Sequence, residues 1–196
     1  MLPFEPRSLR GDHVELAPLG REHATDLLQA GADAEIWRYK PIPPPRTLED
    51  TYRWIDAALA EAAAGLQAPF AILAGGRAVG STRYLDLRPP DRALEIGWTW
   101  IGRPWQRTAI NTECKYLLLR HAFEDLGAIR VQLKTDARNL QSQRAIERIG
   151  AVREGVLRRH RVLWDGFVRD TVFYSVIDSE WPAVKARLEE LLRPRS

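Results

Sequence analysis

One continuous stretch, residues 95–111, constrains this chain more than any other. It reads Glu95-Ile96-Gly97-Trp98-Thr99-Trp100-Ile101-Gly102-Arg103-Pro104-Trp105-Gln106-Arg107-Thr108-Ala109-Ile110-Asn111. A β-rich run enters a tight loop, and the loop opens directly into an amphipathic helix. Such a helix start offers backbone N–H groups at a positive end, which is how a protein holds a pyrophosphate without a metal. A carboxylate on the preceding strand, Glu95, is then placed to take a proton beside the bound ligand. The arrangement points to an enzyme that uses a large phosphorylated cofactor.

The chain has 196 residues, enough for one domain with a substantial core, spanning 1–196. The net charge of +3 is small, and the Arg residues are scattered among Asp and Glu, so nucleic-acid binding is not expected. A lone Cys114 excludes an intrachain disulfide and a cysteine-based metal cluster. It falls at core spacing in a helix and reads as a buried thiol. His13, His23, His121 and His160 show no ligand spacing, so no metal is expected. Met1 to Arg10 holds no apolar run, and no segment approaches the ~20 apolar residues that span a bilayer. A cytoplasmic location away from membranes is the expectation.

Along the chain, residues 13–18 alternate like a strand and residues 21–30 read as a helix. Pro41-Ile42-Pro43-Pro44-Pro45 must be an extended surface loop. Thr47 and Asp50 resemble a capping box ahead of a helix that runs to Gly65. Strands follow at 70–73, 78–87 and 93–101, joined at Gly75-Gly76 and at Pro89-Pro90-Asp91. A helix spans about 109–126, with Ile110, Cys114, Leu117, Leu118 and Ala122 on one face and Gly127 at its end. Residues 129–135 alternate as a half-buried strand. Asn139 caps a short helix that ends at Gly150. Residues 152–163 and 167–177 form a hairpin turning at Asp165-Gly166. Trp181, Val184, Leu188 and Leu191 mark a terminal amphipathic helix, which Pro194 helps to stop. The order predicts a mixed α/β or α+β sheet with helices packed on it.

Three elements in this order resemble the GNAT superfamily of acyl-CoA-dependent N-acyltransferases. Gln106-Arg107-Thr108-Ala109-Ile110-Asn111 is similar to its phosphate loop, with Ala109 and Asn111 standing where glycines are usual. Asn139-Leu140-Gln141-Ser142, with Ala145, Glu147-Arg148 and Gly150, resembles its second cofactor motif. Glu95-Ile96-Gly97-Trp98 stands at the usual distance before the loop. The likeness covers nearly the whole chain and is greatest to the RimJ/RimL-like branch, whose members include N-terminal acetyltransferases of ribosomal proteins. It implies a central twisted mixed sheet, splayed at the cofactor site, with helices on both faces. It implies acetyl-CoA as cofactor and an amine as acceptor, a ribosomal-protein N-terminus among the candidates.

Residue by residue, the loop and helix start from Gln106 through Arg107, Thr108, Ala109, Ile110, Asn111 and Thr112 would meet the pyrophosphate. Ala109 is small enough for close backbone approach, and Arg107 adds charge. The backbone of Trp100 and Ile101 would pair with the pantetheine arm as an added strand does, while Trp98 reads as core. Asn139 both caps its helix and reaches the arm. For catalysis Glu95 is the first choice of base, with Asp170 and His160 as further candidates. Many members carry a general-acid Tyr where this chain has Ile146, so the acid is Ser142 or no residue at all. The amine attacks the thioester directly, and Cys114 is not an acyl carrier. A small-molecule amine as acceptor, or a non-catalytic acyl-CoA sensor, stays open. Pro41 to Pro45 and Arg158-Arg159-His160-Arg161 border the acceptor side or a solvated edge. The apolar face of the last helix and the aromatic last hairpin offer surfaces for a homodimer.

Overall fold

The computed structural model describes residues 7–193. The first six residues lie outside that range, and so does the expected stop at Pro194. The strands are β1 (Leu9–Arg10), β2 (Glu15–Pro18), β3 (Gln67–Ala74), β4 (Arg77–Arg88), β5 (Ala93–Ile101), β6 (Arg130–Asp136), β7 (Val152–Val162) and β8 (Val168–Ile177). The helices are α1 (Ala24–Ala30), α2 (Leu48–Ala63), α3 (Ala109–Arg120), α4 (Leu140–Arg148) and α5 (Trp181–Leu192). The strands make one sheet in the order β1-β2-β3-β4-β5-β6-β8-β7. Among the described residues only β5 and β6 run parallel. The mixed sheet with helices on both faces is as the sequence predicts.

Local chemistry explains most boundaries. Thr47 Oγ1 accepts the Asp50 N–H at 3.1 Å, and Asp50 Oδ2 accepts the Thr47 N–H at 3.0 Å, so the capping box forms as predicted. Gly75 and Gly76 turn β3 into β4 with φ of +57° and +78°. Both values suit glycine, and both belong to the hairpin turn that the dipeptide predicts. The 109–126 helix departs from expectation at its end. Its α-helical part stops at Arg120, and His121–Asp125 widens into a π-turn. Tyr84 on β4 donates its hydroxyl to the Leu118 carbonyl at 2.6 Å, competing for an acceptor of the helix ladder just before the widening.

The two faces of the sheet build two cores. On one, α3, α4 and α5 cover Leu16, Phe70, Val79, Leu94 and Ile96. On the other, α1 and α2 cover Ala71 and Ala78, and Trp37, Trp54 and Trp100 pack with ring centroids 5.2–6.5 Å apart. The apolar stripe of α5 is not a free surface. Trp181, Val184 and Leu188 are buried, and Phe123 stacks on Trp181 at 5.4 Å. The expectation of a homodimer surface on that helix is therefore corrected, because three of the four stripe residues are spent inside the molecule and Leu191 alone of them is exposed.

The sheet opens at one place. β5 pairs with β6 only through Ala93, Leu94 and Glu95, opposite Arg130, Val131 and Gln132. Beyond Glu95, β5 stays with β4 to Ile101, while β6 stays with β8 to Asp136. A bulge against β4 lies between Ser81 and Arg83, and opposite it Trp98 takes φ +54°. The bulge breaks the strand's alternation. Trp98, expected in the core, is only partly buried, and Arg83 lies over its ring at 4.5 Å. Trp100 takes the core position instead, at 5% exposure.

Candidate active site

The splay between β5 and β6 is the floor of a cleft of about 940 Å³. Its walls are the Gln106–Asn111 loop, one side of α4 and the Glu35–Pro41 loop. Glu95 stands where the strands part and is 2% exposed. Its Oε2 accepts from Gln132 Nε2 at 3.0 Å and pairs with Lys134 Nζ at 2.8 Å. The parallel register explains this, since Glu95 lies opposite Gln132 and Lys134 is two residues further on the same strand face. The carboxylate is thus both ion-paired and part of the cleft wall.

Gly97 makes that position available. A Cβ there would sit 2.7 Å from Glu95 Oε1 and 2.7 Å from Leu85 Cδ1. Both obstacles are ends of flexible side chains, so the fold can absorb the change while the carboxylate cannot stay in place. Gly97→Ala is expected to keep the fold and lower kcat on the order of tenfold to a hundredfold. A melting temperature near wild type beside that kcat is the outcome to look for, and an unchanged kcat contradicts it.

At the other end of the cleft, Thr108 caps α3. Its Oγ1 accepts the Ile110 N–H at 3.3 Å and donates to the Trp105 carbonyl at 2.7 Å. Ala109 and Asn111 occupy first-turn positions whose N–H groups have no acceptor within the helix. The left-handed residue of the loop is Arg107, at φ +61°. Ala109 and Asn111 are ordinary helical residues, so glycine's conformational freedom is not needed at either. The Arg107 side chain has no hydrogen-bond or ion-pair partner among the described residues and borders the cleft. Gln106 turns inward instead and donates from Nε2 to the Ile101 carbonyl at 2.9 Å.

The structure brings Glu95, Trp100, Ile101, Gln106, Arg107, Thr108, Asn111, Asn139 and Ser142 to one cleft. Asn139 Oδ1 accepts the Ser142 N–H at 3.0 Å, so it caps α4 as predicted. Ile110 packs into the core, Ala109 does not line the cleft, and Thr112 accepts from Arg148 at 2.7 Å. Their side chains are not presented to a ligand. Asp170 does not join the cleft either. Its Oδ1 accepts the Arg159 N–H at 2.7 Å, at a bulge where Arg159 takes φ +49°. His160 faces Thr171 Oγ1 at 3.0 Å and Phe173, off the cleft wall. Cys114 is fully buried, and that burial pushes its thiol up to about 11, so it is inert as an acyl carrier.

Sequence reasoning missed the cations of the cleft. Lys115 follows Asn111 by four residues on the same helix face, a spacing that could have placed it. Lys40, from the loop after α1, carried no such signal. Burial, followed by Lys115, Arg169 and Arg83, brings Lys40 down to about 7. Its folded value lies below its unfolded one, so between about pH 7 and 10.5 the unfolded chain binds more protons and stability rises with pH. Thermal melts from pH 6 to 10 are expected to show that slope, reduced in Lys40→Met. An equal slope in both proteins contradicts the assignment.

A buried carboxylate at a strand splay, a capped helix start with spare N–H groups, and a strand edge between them suit acyl transfer. The comparisons agree. The acetyltransferase (GNAT) domain model matches residues 13–152, and the chain belongs to that family. YdaF of Bacillus subtilis (strain 168), named "Putative ribosomal N-acetyltransferase", is 32% identical over 58% of this chain, and the match spans 61% of YdaF's length. A crystal structure named for an acetyltransferase from T. thermophilus is 44% identical, covers 98% of this chain and 100% of its own, and superposes with a TM-score of 0.90. Mycobacterium smegmatis RimJ in complex with CoA-disulfide shares the fold, with a TM-score of 0.80 at 21% identity over 91% of this chain and 88% of RimJ. Like other GNAT enzymes, this chain is an acyl-CoA-dependent N-acetyltransferase.

Proposed function

We propose that the described chain acts as one acyltransferase domain, moving an acetyl group from acetyl-CoA to the α-amine of a protein N-terminus. The position of Glu95 carries this reading. It is a buried carboxylate at the head of the splay, on the strand that leads to the phosphate-type loop. The residues present suit the cofactor. The N–H groups of Ala109 and Asn111 and the unpaired Arg107 suit its diphosphate. The edge of β5 from Thr99 to Ile101, unpaired with β6, suits its amide-bearing arm through N–H groups, since the Thr99 and Ile101 carbonyls already accept from Lys40 and Gln106, with Asn139 and Ser142 across the cleft. Bound there, acetyl-CoA supplies the thioester carbonyl.

Glu95 takes the proton of the attacking amine, directly or through one water. A backbone N–H on the splayed edge of β5 meets the oxyanion. Ser142, which lines the cleft, would relay a proton from water to the departing thiolate and end with its own hydroxyl restored, a role that Ile146 cannot fill. Asp170 has no part. An α-amine, with a pKa near 7.7–8.0, needs less help from a base than lysine does. The name of YdaF favours a ribosomal-protein acceptor. No helix among the described residues is long and apolar enough to cross a membrane, which suits a cytoplasmic enzyme. For a second copy, the exposed Leu157, Val162, Trp164 and Phe167 of the last hairpin are the surface that remains.

The test is a mixed incubation with acetyl-CoA. It holds a lysine-free peptide with an open N-terminus, an N-blocked peptide with lysine, and a polyamine, all read by mass spectrometry. Acetyl on the open N-terminus supports the reading. Transfer only to the ε-amine or the polyamine overturns it in favour of another acceptor. Acetyl-CoA binding with no transfer at all makes the chain a sensor.

A further inference from the structure

The cleft gathers cations that no carboxylate among the described residues pairs with directly. Lys40 Nζ donates to the Thr99 carbonyl at 2.6 Å, and Lys115 Nζ donates to the Thr99 hydroxyl at 2.7 Å. Arg169 on β8 donates to Thr171 Oγ1 at 2.9 Å and to the Tyr39 carbonyl at 3.2 Å. All three line the cleft. Lys115 is 6% exposed and Arg169 is 7% exposed. None has a carboxylate within ion-pair distance among the described residues. The acidic neighbours are already engaged, Glu95 with Lys134 and Asp136 with Arg138, each at 2.8 Å.

Three elements far apart in sequence thus bring cations to one cleft, Lys40 and Lys115 onto Thr99 and Arg169 onto Tyr39, the residue before Lys40. Burying like charges without a counter-ion is costly. Each ammonium also keeps donors beyond the one it uses. An anion entering the cleft would offset that cost, and it would hold Lys40 protonated against the burial that brings it to about 7. The cofactor's diphosphate has its own donors at the start of α3. The cluster also lies at a readable distance from the base. Thr99 is four residues beyond Glu95, and the bulge at Trp98 shortens that to roughly 10 Å along the strand. An amino acid's own carboxylate cannot span that gap while its amine meets Glu95. An extended peptide can, with an acidic side chain two to four residues in.

We infer that Lys40, Lys115 and Arg169 form an anion subsite that selects acceptors with a carboxylate side chain near, but not at, the reacting N-terminus. This rests on the N-terminal reading above, and the test separates the two. Peptides identical except for Glu or Gln at positions 2, 3 or 4 are acetylated by wild type, Lys115→Met and Lys40→Met. Wild type is expected to favour the Glu peptides in kcat/KM on the order of tenfold to a hundredfold, through KM, with the ratio falling toward one in both variants. Lys40→Met, on a loop, serves if Lys115→Met does not fold.

Equal use of Glu and Gln peptides by wild type, with acetyl on the α-amine, overturns the subsite and leaves the N-terminal reading standing. A rise in the KM for acetyl-CoA rather than for peptide gives these cations to the cofactor and overturns it too. If no peptide turns over, the N-terminal reading fails. Calorimetry of Glu against Gln peptides on the CoA-loaded protein then decides the subsite separately. Tighter binding of Glu peptides upholds it, and equal or absent binding overturns it.

Discussion

Glu95→Gln lowers kcat by about 10²- to 10⁴-fold at neutral pH, the range over which general-base catalysis contributes. The loss shrinks above about pH 8, where an α-amine arrives already neutral. Glutamine matches the shape of glutamate, so the contact with Gly97 is kept and the change is one of charge. That charge also pairs with Lys134, whose side chain is 24% exposed, so the variant leaves a shielded ammonium without its partner. The double variant Glu95→Gln/Lys134→Met removes both charges. It is expected to regain stability while staying inactive at neutral pH. A pH–rate profile identical to wild type would reduce Glu95 to a structural partner of Lys134.

Glu113→Ala destabilises the protein by about 3–5 kcal/mol, the largest loss of stability expected from one substitution here. Glu113 is 4% exposed and stands on α3 between Thr112 and Cys114. Its carboxylate accepts the backbone N–H groups of Asp12 at 2.9 Å, His13 at 2.7 Å and Val14 at 2.7 Å. These charge-assisted bonds close the turn between β1 and β2. Gly11 completes the fit, since a Cβ there would lie 2.4 Å from Glu113 Cδ. Alanine leaves three N–H groups without acceptors. Glutamine keeps one acceptor oxygen and should cost about half as much. Urea denaturation reads both variants, and a loss below about 1 kcal/mol for Glu113→Ala contradicts this account.

The contrast between these residues shows what a sequence can disclose. Hairpin turns were legible because Gly75-Gly76 and Asp165-Gly166 supply the positive φ that such turns need, and Gly166 takes φ +81°. The helix starts were legible because Thr47 and Asn139 are good N-caps. The loop before α3 was legible as a chemical idea, an anion seat beside a strand carboxylate. Its inner geometry was not. The strained residue is Arg107, while the positions where glycine is usual turn out to be plain helix.

Trp98 misled because alternation assumes an unbroken strand, and the bulge opposite Thr82 shifts the parity. Glu113 gave no sign because a carboxylate on a helix reads as solvent-facing until the β1–β2 turn arrives from a hundred residues away. Asp170 was a plausible base by position on its hairpin, yet the Arg159 bulge claims its carboxylate. The lysines around Thr99 depend on three elements meeting, which no local pattern encodes.

A crystal structure with CoA bound tests the central claim most directly. The account predicts the diphosphate at the start of α3, against Arg107, Ala109 and Asn111, the arm along the open edge of β5, and the sulfur in the splay on the Glu95 side. A CoA molecule seated elsewhere on the protein, or an arm that never enters between β5 and β6, would contradict it.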